Sequence, residues 1–424
     1  MKALLVTSAS SEKHMTQASI LYLASWLKKA KAGFEILDMS GTIDYFNPPD
    51  KFFSPWDSEN WLNNNIFYTD WLVDDYLCGE HTKVDTVYYS PMFSTDILVH
   101  GRHAVKMKEL FPDCRAVIGG PAVRCLDSKQ LSILRSIFDN VCLDSIMDVD
   151  LDYSLMPIKP FVTIHSGQGC LYGKCRFCNT NSLSEYYIKD ARSVVKEFQE
   201  IRKYKVRDVM LSSDTFTHSH ISRLAEELIA YKTDVPYNIM LRAEKWVDSK
   251  FSDKLKRSGC TDVFIGAEAF NDDILKALNK GTHTYNNINA IKNLHNAGIK
   301  VEVGMILFIP GITKEQMDSQ LSTVEPLLPY IHSINLEILT ITNYSEFALR
   351  PYKYDIELFP KDGKSIIPSW CYGFSPDIPW TFLNKSGIKL WIDHYDDLRL
   401  LLGDIVPSRY YEAIDYLKDE IGGI

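Results

Sequence analysis

Short apolar runs alternate along the chain with longer stretches in which apolar residues recur every three or four positions. The short runs predict buried strands, and the longer stretches predict amphipathic helices. Over residues 1–150 the pattern predicts strands at 3–7, 34–39, 85–90 and 115–118 and helices at 17–29 and 97–110. Such an alternation favours a parallel, doubly wound sheet with right-handed crossovers.

The alternation resumes after a linker-like stretch at 151–160. It predicts six further strands, at 161–165, 207–212, 236–242, 262–267, 300–307 and 333–340. Six strand–helix units are two fewer than a closed barrel needs, so we expect a partial (β/α)6 barrel with functional side chains at its strand C-termini. The rest of the chain is first rich in Pro and Trp and then carries a helical pattern of apolar residues. This predicts a small, mainly helical extension that covers a substrate. The expected α/β domains are 1–150, 151–350 and 351–424.

Composition narrows the setting in which this chain works. The 424 residues carry a formal net charge of -9, which disfavours a nucleic-acid partner because such partners attract clustered Lys and Arg. No apolar stretch approaches the roughly 20 residues of a membrane-spanning helix. The N-terminal apolar run is short and predicts a strand in place of a signal peptide. We therefore expect a cytoplasmic protein without a membrane span.

The most specific chemistry lies directly after the strand predicted at 161–165. Four residues separate Cys170 from Cys175, and two separate Cys175 from Cys178. Thiolates on one loop bind soft metals, and iron–sulfur clusters are the usual occupant. A four-iron cluster normally takes four thiolates, so a loop with three leaves one iron open for another ligand.

The residues alone leave alternatives to a cluster open for the three cysteines. A zinc site would need a fourth ligand at a recognisable spacing, and the next cysteine is the distant Cys260. A disulfide is disfavoured by the nine cysteines, an odd number, which is typical of a reducing compartment. The remaining alternative is three unrelated buried thiols.

The cysteine loop and the partial barrel together resemble the radical S-adenosylmethionine (SAM) superfamily. The resemblance implies that Cys170, Cys175 and Cys178 hold a [4Fe-4S] cluster and that SAM chelates the open iron. The family loop usually has three residues between its first two cysteines, and the longer spacing here is similar to that of some members with a cobalamin domain. Phe177 matches the aromatic residue placed against the adenine, or else it packs at the barrel mouth.

Three later strand ends extend the resemblance. Ser213 and Asp214 follow the second barrel strand, where the family contacts the methionine amino group. Arg242 and Glu268 follow the third and fourth strands, where polar residues of relatives hold the methionine carboxylate and the ribose. A charge at a strand end of the barrel mouth usually faces a ligand, because an unpaired buried charge is unfavourable.

Residues 1–150 resemble the cobalamin-binding domain that precedes the barrel in one branch of the superfamily. The resemblance rests on the order of strands and helices, on the stretch around Phe93, and on Gly119 and Gly120 after a strand. The Asp-x-His-x-x-Gly signature is absent, so Phe93 or a neighbour would lie under the cobalt. The alternative is a scaffold without cobalamin, in which the two glycines form an ordinary turn.

The resemblance implies reductive cleavage of SAM and removal of hydrogen from an unactivated carbon, with flavodoxin or ferredoxin as electron donor. With cobalamin, the expected outcome is C-methylation of a ribosomal peptide or a natural product. Without it, Cys371 is the candidate hydrogen donor of a peptide epimerase, unless it is a packed thiol beside Trp370. A tRNA-modifying enzyme and a purely structural cluster are the remaining alternatives.

Overall fold

A computed structural model describes residues 2–7, 15–16, 18–38, 84–91, 94–144, 149–155, 158, 160–183, 185–358, 380–384, 386–408, 410–411 and 415. These residues fall into two compact units, with the division between Thr163 and Ile164. Within the described ranges, no helix combines the length and apolar character needed to cross a membrane.

The first unit is built on a parallel sheet. Its described strands are β1 (Lys2–Val6), β2 (Met15–Thr16), β3 (Gly33–Leu37), β4 (Thr86–Tyr89), β5 (Arg115–Ile118) and β6 (Asn140–Val141). Its described helices are α1 (Ala18–Lys29), α2 (Ser94–Leu110), α3 (Pro121–Arg124) and α4 (Ser128–Ile137), followed by a 3-10 turn at Tyr153–Leu155. Five of these strands form a sheet of order β3-β1-β4-β5-β6 with every pair parallel, while β2 pairs with Phe161 and Val162. The predicted doubly wound sheet is confirmed.

Apolar periodicity explains these elements. Residues 3–6 of β1 are all buried, as expected for a central parallel strand covered on both faces. Helix α1 buries Ile20, Leu21, Ala24 and Leu27, which recur at helical spacing. The start of α4 is fixed by a capping box between Asp127 and Gln130.

The second unit contains the barrel strands. They and the short strands between them are β7 (Phe161–His165), β8 (Gly167–Gln168), β9 (Tyr187–Ile188), β10 (Asp208–Ser212), β11 (Tyr237–Leu241), β12 (Cys260–Glu268), β13 (Lys300–Leu307) and β14 (Ser333–Ile338). The sheet runs β2-β7-β10-β11-β12-β13-β14, and the division between the units falls within β7. The six predicted strands of a partial barrel are therefore confirmed.

Helices connect these strands and carry strong start signals. They are α5 (Thr180–Leu183), α6 (Ala191–Ile201), α7 (His218–Tyr231), α8 (Ser249–Arg257), α9 (Asp272–Ala277), α10 (Thr284–Asn296) and α11 (Lys314–Val324), the last followed by a 3-10 helix at Glu325–Tyr330. Side chains of the N-cap residues accept backbone N–H groups at Asp190, Thr217, Asp248, Asn271 and Thr313. Each of these caps stands at the end of a loop that follows a barrel strand. The carboxyl ends of the barrel strands, from which these loops leave, are called here the barrel mouth.

The described C-terminal part packs on the ends of the last two barrel strands. It comprises α12 (Glu346–Leu349), a 3-10 helix at Pro351–Tyr354, an antiparallel pair of β15 (Ile356–Leu358) and β16 (Trp380–Phe382), helix α13 (Ser386–Leu402) and a 3-10 turn at Gly403–Ile405. Trp380 donates from Nε1 to the Leu339 carbonyl at 3.0 Å, and Trp391 donates to the Ile309 carbonyl at 2.9 Å. Two buried indoles thus fasten this part to residues that follow β14 and β13.

Candidate functional site

The three cysteines lie on residues 169–179, called here the cysteine loop. At its first residue, Gly169, the backbone conformation and the close neighbours leave no room for a side chain. Gly169 has φ +79°, and an added Cβ would lie 2.8 Å from both the Glu185 carbonyl and the Tyr186 Cα. Its N–H donates to the Asp214 carboxylate at 2.6 Å, and Thr215 donates to its carbonyl at 3.3 Å. In the structure Asp214 therefore anchors the start of the cysteine loop.

The three cysteines are free thiols in a partly polar setting. Cys170 and Cys175 are half-buried and Cys178 is exposed. The backbone N–H of Gly173 contacts the Cys170 sulfur at 3.4 Å, and Thr180 contacts the Cys178 sulfur through its N–H at 3.5 Å and its hydroxyl at 3.1 Å. Donors of this kind stabilise sulfur in its anionic form.

Cys175 is half-buried and lies near two cations. Burial raises the pKa of the Cys175 thiol, while the charges of Lys280 and Arg242 act in the opposite direction. Positive groups beside a buried sulfur favour its thiolate, which is the form that binds metal.

The donor set fits an iron–sulfur cluster. In the described part of the chain, no three His, Cys, Asp or Glu side chains are close enough to hold one metal ion together. A four-iron cluster takes its thiolates on separate irons, so its ligands stand farther apart than those of a single ion. Three free thiols on one loop, with backbone donors at two sulfurs and cations beside the third, are a donor set that suits such a cluster.

Arg242, at the end of β11, contacts the cysteine loop itself. Its Nη1 lies 3.8 Å from the Cys175 sulfur, and the guanidinium carbon stands 4.4 Å from the centre of the Tyr172 ring. Its other nitrogens donate to Glu244 at 3.0 Å and to the Lys280 carbonyl at 2.7 Å. The structure thus places this predicted SAM-binding residue against one of the three predicted cluster cysteines.

Glu268 ends β12 in an unusual conformation. The register with β13 shifts between Gly266 and Glu268, and Glu268 has φ +64°, so its carboxylate is directed away from the regular pleat. Lys280 donates to that carboxylate at 2.6 Å, and the exposed fractions of the two side chains are only 7% and 15%. The ammonium also stands 6.0 Å from the centre of the Phe177 ring.

Lys280 is a residue of this site that the sequence did not predict. The signal that could have pointed to it is its position between Asn279 and Gly281, two residue types that favour turns. Both have positive φ in the turn that follows α9. Asn279 donates to the Lys174 carbonyl at 2.6 Å, and Tyr172 donates to the Asn279 carbonyl at 2.8 Å. This turn and the cysteine loop are therefore fastened to each other.

A cavity of about 320 Å³ lies beside the cysteine loop. Its lining combines one aromatic ring, one thiol, two carboxylates, aliphatic side chains and two hydroxyls: Phe177, Cys178, Asn179, Glu268, Ile306, Glu337, Ile338, Leu339, Thr340 and Thr342. An aromatic face beside a carboxylate suits a planar base attached to a sugar with free hydroxyls.

The other predicted SAM-binding residues are not part of this lining. Ser213 is half-buried and donates its hydroxyl to the Thr215 carbonyl at 2.8 Å. Asp214 and Arg242 instead contact the cysteine loop itself, at Gly169 and at Cys175. Phe177, Cys178 and Glu268 are the predicted residues that the structure brings to one cavity.

At the carboxyl edge of the first sheet, Gly119 and Gly120 follow β5. A Cβ on Gly120, which has φ +98°, would lie 2.8 Å from the Ser90 hydroxyl, and one on Gly119 would lie 3.2 Å from the Cys142 carbonyl. Both glycines therefore allow neighbouring strand ends to approach each other closely. The predicted residues Phe93 and Cys371 lie outside the described residues.

The part of the chain that carries the cysteine loop matches a known protein family. Residues 164–321 match the family described as the Radical SAM superfamily. The chain therefore contains a radical SAM domain, which begins inside β7, includes all three cysteines and ends inside α11.

Individual relatives share part of the chain. A candidate methylthiotransferase of Methanocaldococcus jannaschii is 28% identical over 172 residues, covering 37% of this chain and 37% of the relative. The bacteriochlorophyllide d C-12(1)-methyltransferase of Chlorobaculum tepidum is 28% identical over 155 residues, covering 35% and 33%. The matched region thus spans about a third of each curated relative.

One solved structure shares nearly the whole fold. The radical SAM methyltransferase TsrM of Kitasatospora setae, solved with cobalamin and a [4Fe-4S] cluster, superimposes with a TM-score of 0.67 at 12% identity. The superposition covers 95% of this chain and 92% of TsrM. At this identity the likeness is one of fold, and it extends over both units of the chain.

Proposed function

We propose that this protein is a cobalamin-dependent radical SAM methyltransferase. Cys170, Cys175 and Cys178 hold a [4Fe-4S] cluster, and SAM occupies the cavity beside them. The observation that carries the proposal is the meeting of Phe177, Cys178 and Glu268 in one cavity within the radical SAM domain. When bound, the cluster supplies the electron that splits SAM into methionine and a 5′-deoxyadenosyl radical, and cobalamin supplies the methyl group.

The side chains of the cavity bind and orient SAM. Phe177 packs on the adenine, and the Glu268 carboxylate accepts hydrogen bonds from the ribose hydroxyls. Lys280 holds that carboxylate in place, because its ammonium donates to Glu268 from a nearly buried position. The apolar wall of Ile306, Ile338 and Leu339 limits the access of water to the reacting end of SAM.

The first unit is proposed to hold cobalamin at the carboxyl edge of its sheet. That edge is where ligands of doubly wound sheets bind. Polar groups at that edge include the backbone of Gly120 and the hydroxyl of Ser90, which suit the amide and phosphate groups around a corrin. The N–H of Gly119 already donates to the Tyr89 carbonyl at 3.0 Å. The likeness to TsrM over both units supports this assignment.

The substrate is proposed to be a natural product or a ribosomal peptide, with flavodoxin or ferredoxin as the electron donor. TsrM has been solved with a tryptophan substrate and an SAM analogue, so this fold accommodates an amino acid or its derivatives. Methyl transfer is preferred to epimerisation, because the similar proteins of Chlorobaculum tepidum and Kitasatospora setae are both methyltransferases.

Cofactor content and turnover test this proposal directly. The protein is purified without oxygen from cells supplied with cobalamin and then incubated with SAM and dithionite. We expect about four iron atoms per chain, about one corrin per chain, and formation of 5′-deoxyadenosine. Stoichiometric zinc in place of iron would contradict the cluster, whereas iron and 5′-deoxyadenosine without corrin would contradict only the cobalamin.

A further inference from the structure

Arg242 has no role in the proposed function so far, yet it makes several specific contacts. One guanidinium nitrogen is 3.8 Å from the Cys175 sulfur, and the guanidinium carbon lies 4.4 Å from the centre of the Tyr172 ring. The remaining nitrogens donate to Glu244 and to the Lys280 carbonyl. All three nitrogens of the guanidinium therefore have partners within the protein.

The surroundings hold this arrangement in place. Tyr172 is tied to the Asn279 carbonyl, and its ring fills the space beside Gly281, where an added Cβ would overlap the ring. Arg242 is itself largely buried, with 14% of its side chain exposed. The cavity proposed for SAM is lined by other residues. Reorienting Arg242 toward a ligand would thus break three polar contacts and its contact with the Tyr172 ring at once.

A cation that donates to a cluster ligand has a predictable electrostatic effect. Reduction adds negative charge to a cluster, and a nearby positive donor stabilises that charge. We propose that Arg242 is a positioning residue for Cys175, and that through this sulfur it raises the reduction potential of the cluster instead of binding the methionine carboxylate. This inference rests on the proposed function, since it requires a cluster on the cysteine loop.

Two substitutions with opposite expected signs test the inference. Arg242→Gln removes the cation, and Glu244→Gln removes the carboxylate that partly neutralises it. Redox titration followed by electron paramagnetic resonance should give a more negative midpoint for Arg242→Gln, by about a tenfold change in the reduction equilibrium, or about 59 mV for one electron. Glu244→Gln should shift the midpoint in the positive direction. Equilibrium dialysis should give unchanged SAM affinity for both variants.

A matched control separates this effect from a general loss of positive charge. Arg202 also contacts a carbonyl and a carboxylate, those of Lys232 and Asp234, but on an exposed surface of the barrel. Arg202→Gln should leave the midpoint potential unchanged.

Clear outcomes would overturn the inference. If Arg242→Gln keeps the wild-type potential while SAM affinity falls about tenfold, Arg242 binds the carboxylate. If Arg242→Gln retains no iron, Glu244→Gln decides, and an unchanged potential in that variant rejects the inference. Failure of the proposed function is distinguishable, because the wild-type protein itself would then lack a cluster.

Discussion

Both units of this protein contain a parallel sheet, but different kinds of residues lie at the carboxyl ends of the strands in the two sheets. At the barrel mouth, Lys280 contacts Glu268 through its ammonium and Arg242 through its carbonyl, and Arg242 also contacts the cysteine loop. At the edge of the first sheet, Gly119 and Gly120 are explained by the close approach of neighbouring strand ends. A glycine at a strand end is thus weak evidence for a ligand, whereas a nearly buried network of charges beside free thiols is strong evidence.

The polar interior of the first unit supports the contrast. Tyr89 hydrogen-bonds to Nδ1 of His103 at 2.7 Å, and Nε2 of His100 lies 3.1 Å from the Thr7 carbonyl. Burial lowers the pKa of His103 to about 3 and also lowers the pKa of His100. These histidines are neutral at physiological pH, so this interior carries polarity without the cations found beside Cys175.

The largest expected effect comes from the cysteines. Changing Cys170, Cys175 or Cys178 to Ala should abolish the iron-dependent absorbance and 5′-deoxyadenosine formation, because each thiolate is proposed to bind one iron of the cluster. Iron analysis and absorbance spectra after anaerobic purification measure this. Cys142→Ala, which removes a thiol at the edge of the first sheet, is the control and should keep its iron. Full cluster content in any of the first three variants would show that the ligand assignment is wrong.

The next effect compares ion pairs in the two units. Lys280→Met leaves the Glu268 carboxylate poorly exposed and without its partner, and should lower the free energy of unfolding by about 3 kcal/mol. The exposed pair of Lys28 and Asp152 in the first unit has exposed fractions of 54% and 34%. Lys28→Met should therefore lower stability by about 1 kcal/mol or less.

Urea unfolding of both lysine variants provides the measurement. The double variant Lys280→Met/Glu268→Gln should regain most of the stability, because no charge is then left buried. Equal losses for the two single lysine variants would remove the distinction between the two networks.

Glycine substitutions sharpen the comparison further. Gly281→Ala and Gly120→Ala both place a Cβ at positive φ against a close neighbour, and each should destabilise its unit by about 2 kcal/mol. Only Gly281→Ala should also lower iron content, because it displaces Tyr172 from the cysteine loop. Hydrogen exchange resolves the two units, and iron analysis reads out the loop.

An open position provides the control for backbone strain alone. Gly403 has φ +49° with nothing within 4 Å of an added Cβ. Gly403→Ala should destabilise by about 1 kcal/mol and leave the iron content unchanged. Loss of iron in Gly120→Ala would contradict the separation between the units.

The smallest effect is a dependence of stability on pH. Burial lowers the pKa of His103 to about 3 and that of His394, in the second unit, to about 4. Below the ordinary histidine value the unfolded chain binds protons that the folded chain does not, so stability falls as the pH drops. Each group should remove about 1 kcal/mol between about pH 7 and about pH 5.5.

Urea unfolding at the two pH values tests this dependence in both units. His103→Asn keeps an acceptor for Tyr89 while removing the titrating group, so the pH dependence of the first unit should become smaller. An unchanged pH dependence in this variant would assign the effect to other groups.

Much of the fold could be predicted because its signals are local. The apolar runs located all six barrel strands to within a few residues, as in β7 and β13, whose predicted and observed bounds coincide. The end of β12 was less predictable, because its ninth residue, Glu268, is added after a register shift and a positive φ. Such a departure depends on the neighbouring strand and on Lys280.

The sequence by itself determined the alternation of strands and helices and the grouping of three cysteines on one loop, because both depend on residues close together along the chain. The tertiary structure decided which charges meet that chemistry. Tyr172, Arg242 and Lys280 are far apart in sequence and converge only because parallel strands end at a common edge. The tertiary structure also decided that Asp214 accepts the backbone N–H of Gly169. A sequence does not show this contact, because nearly every residue type carries a backbone N–H.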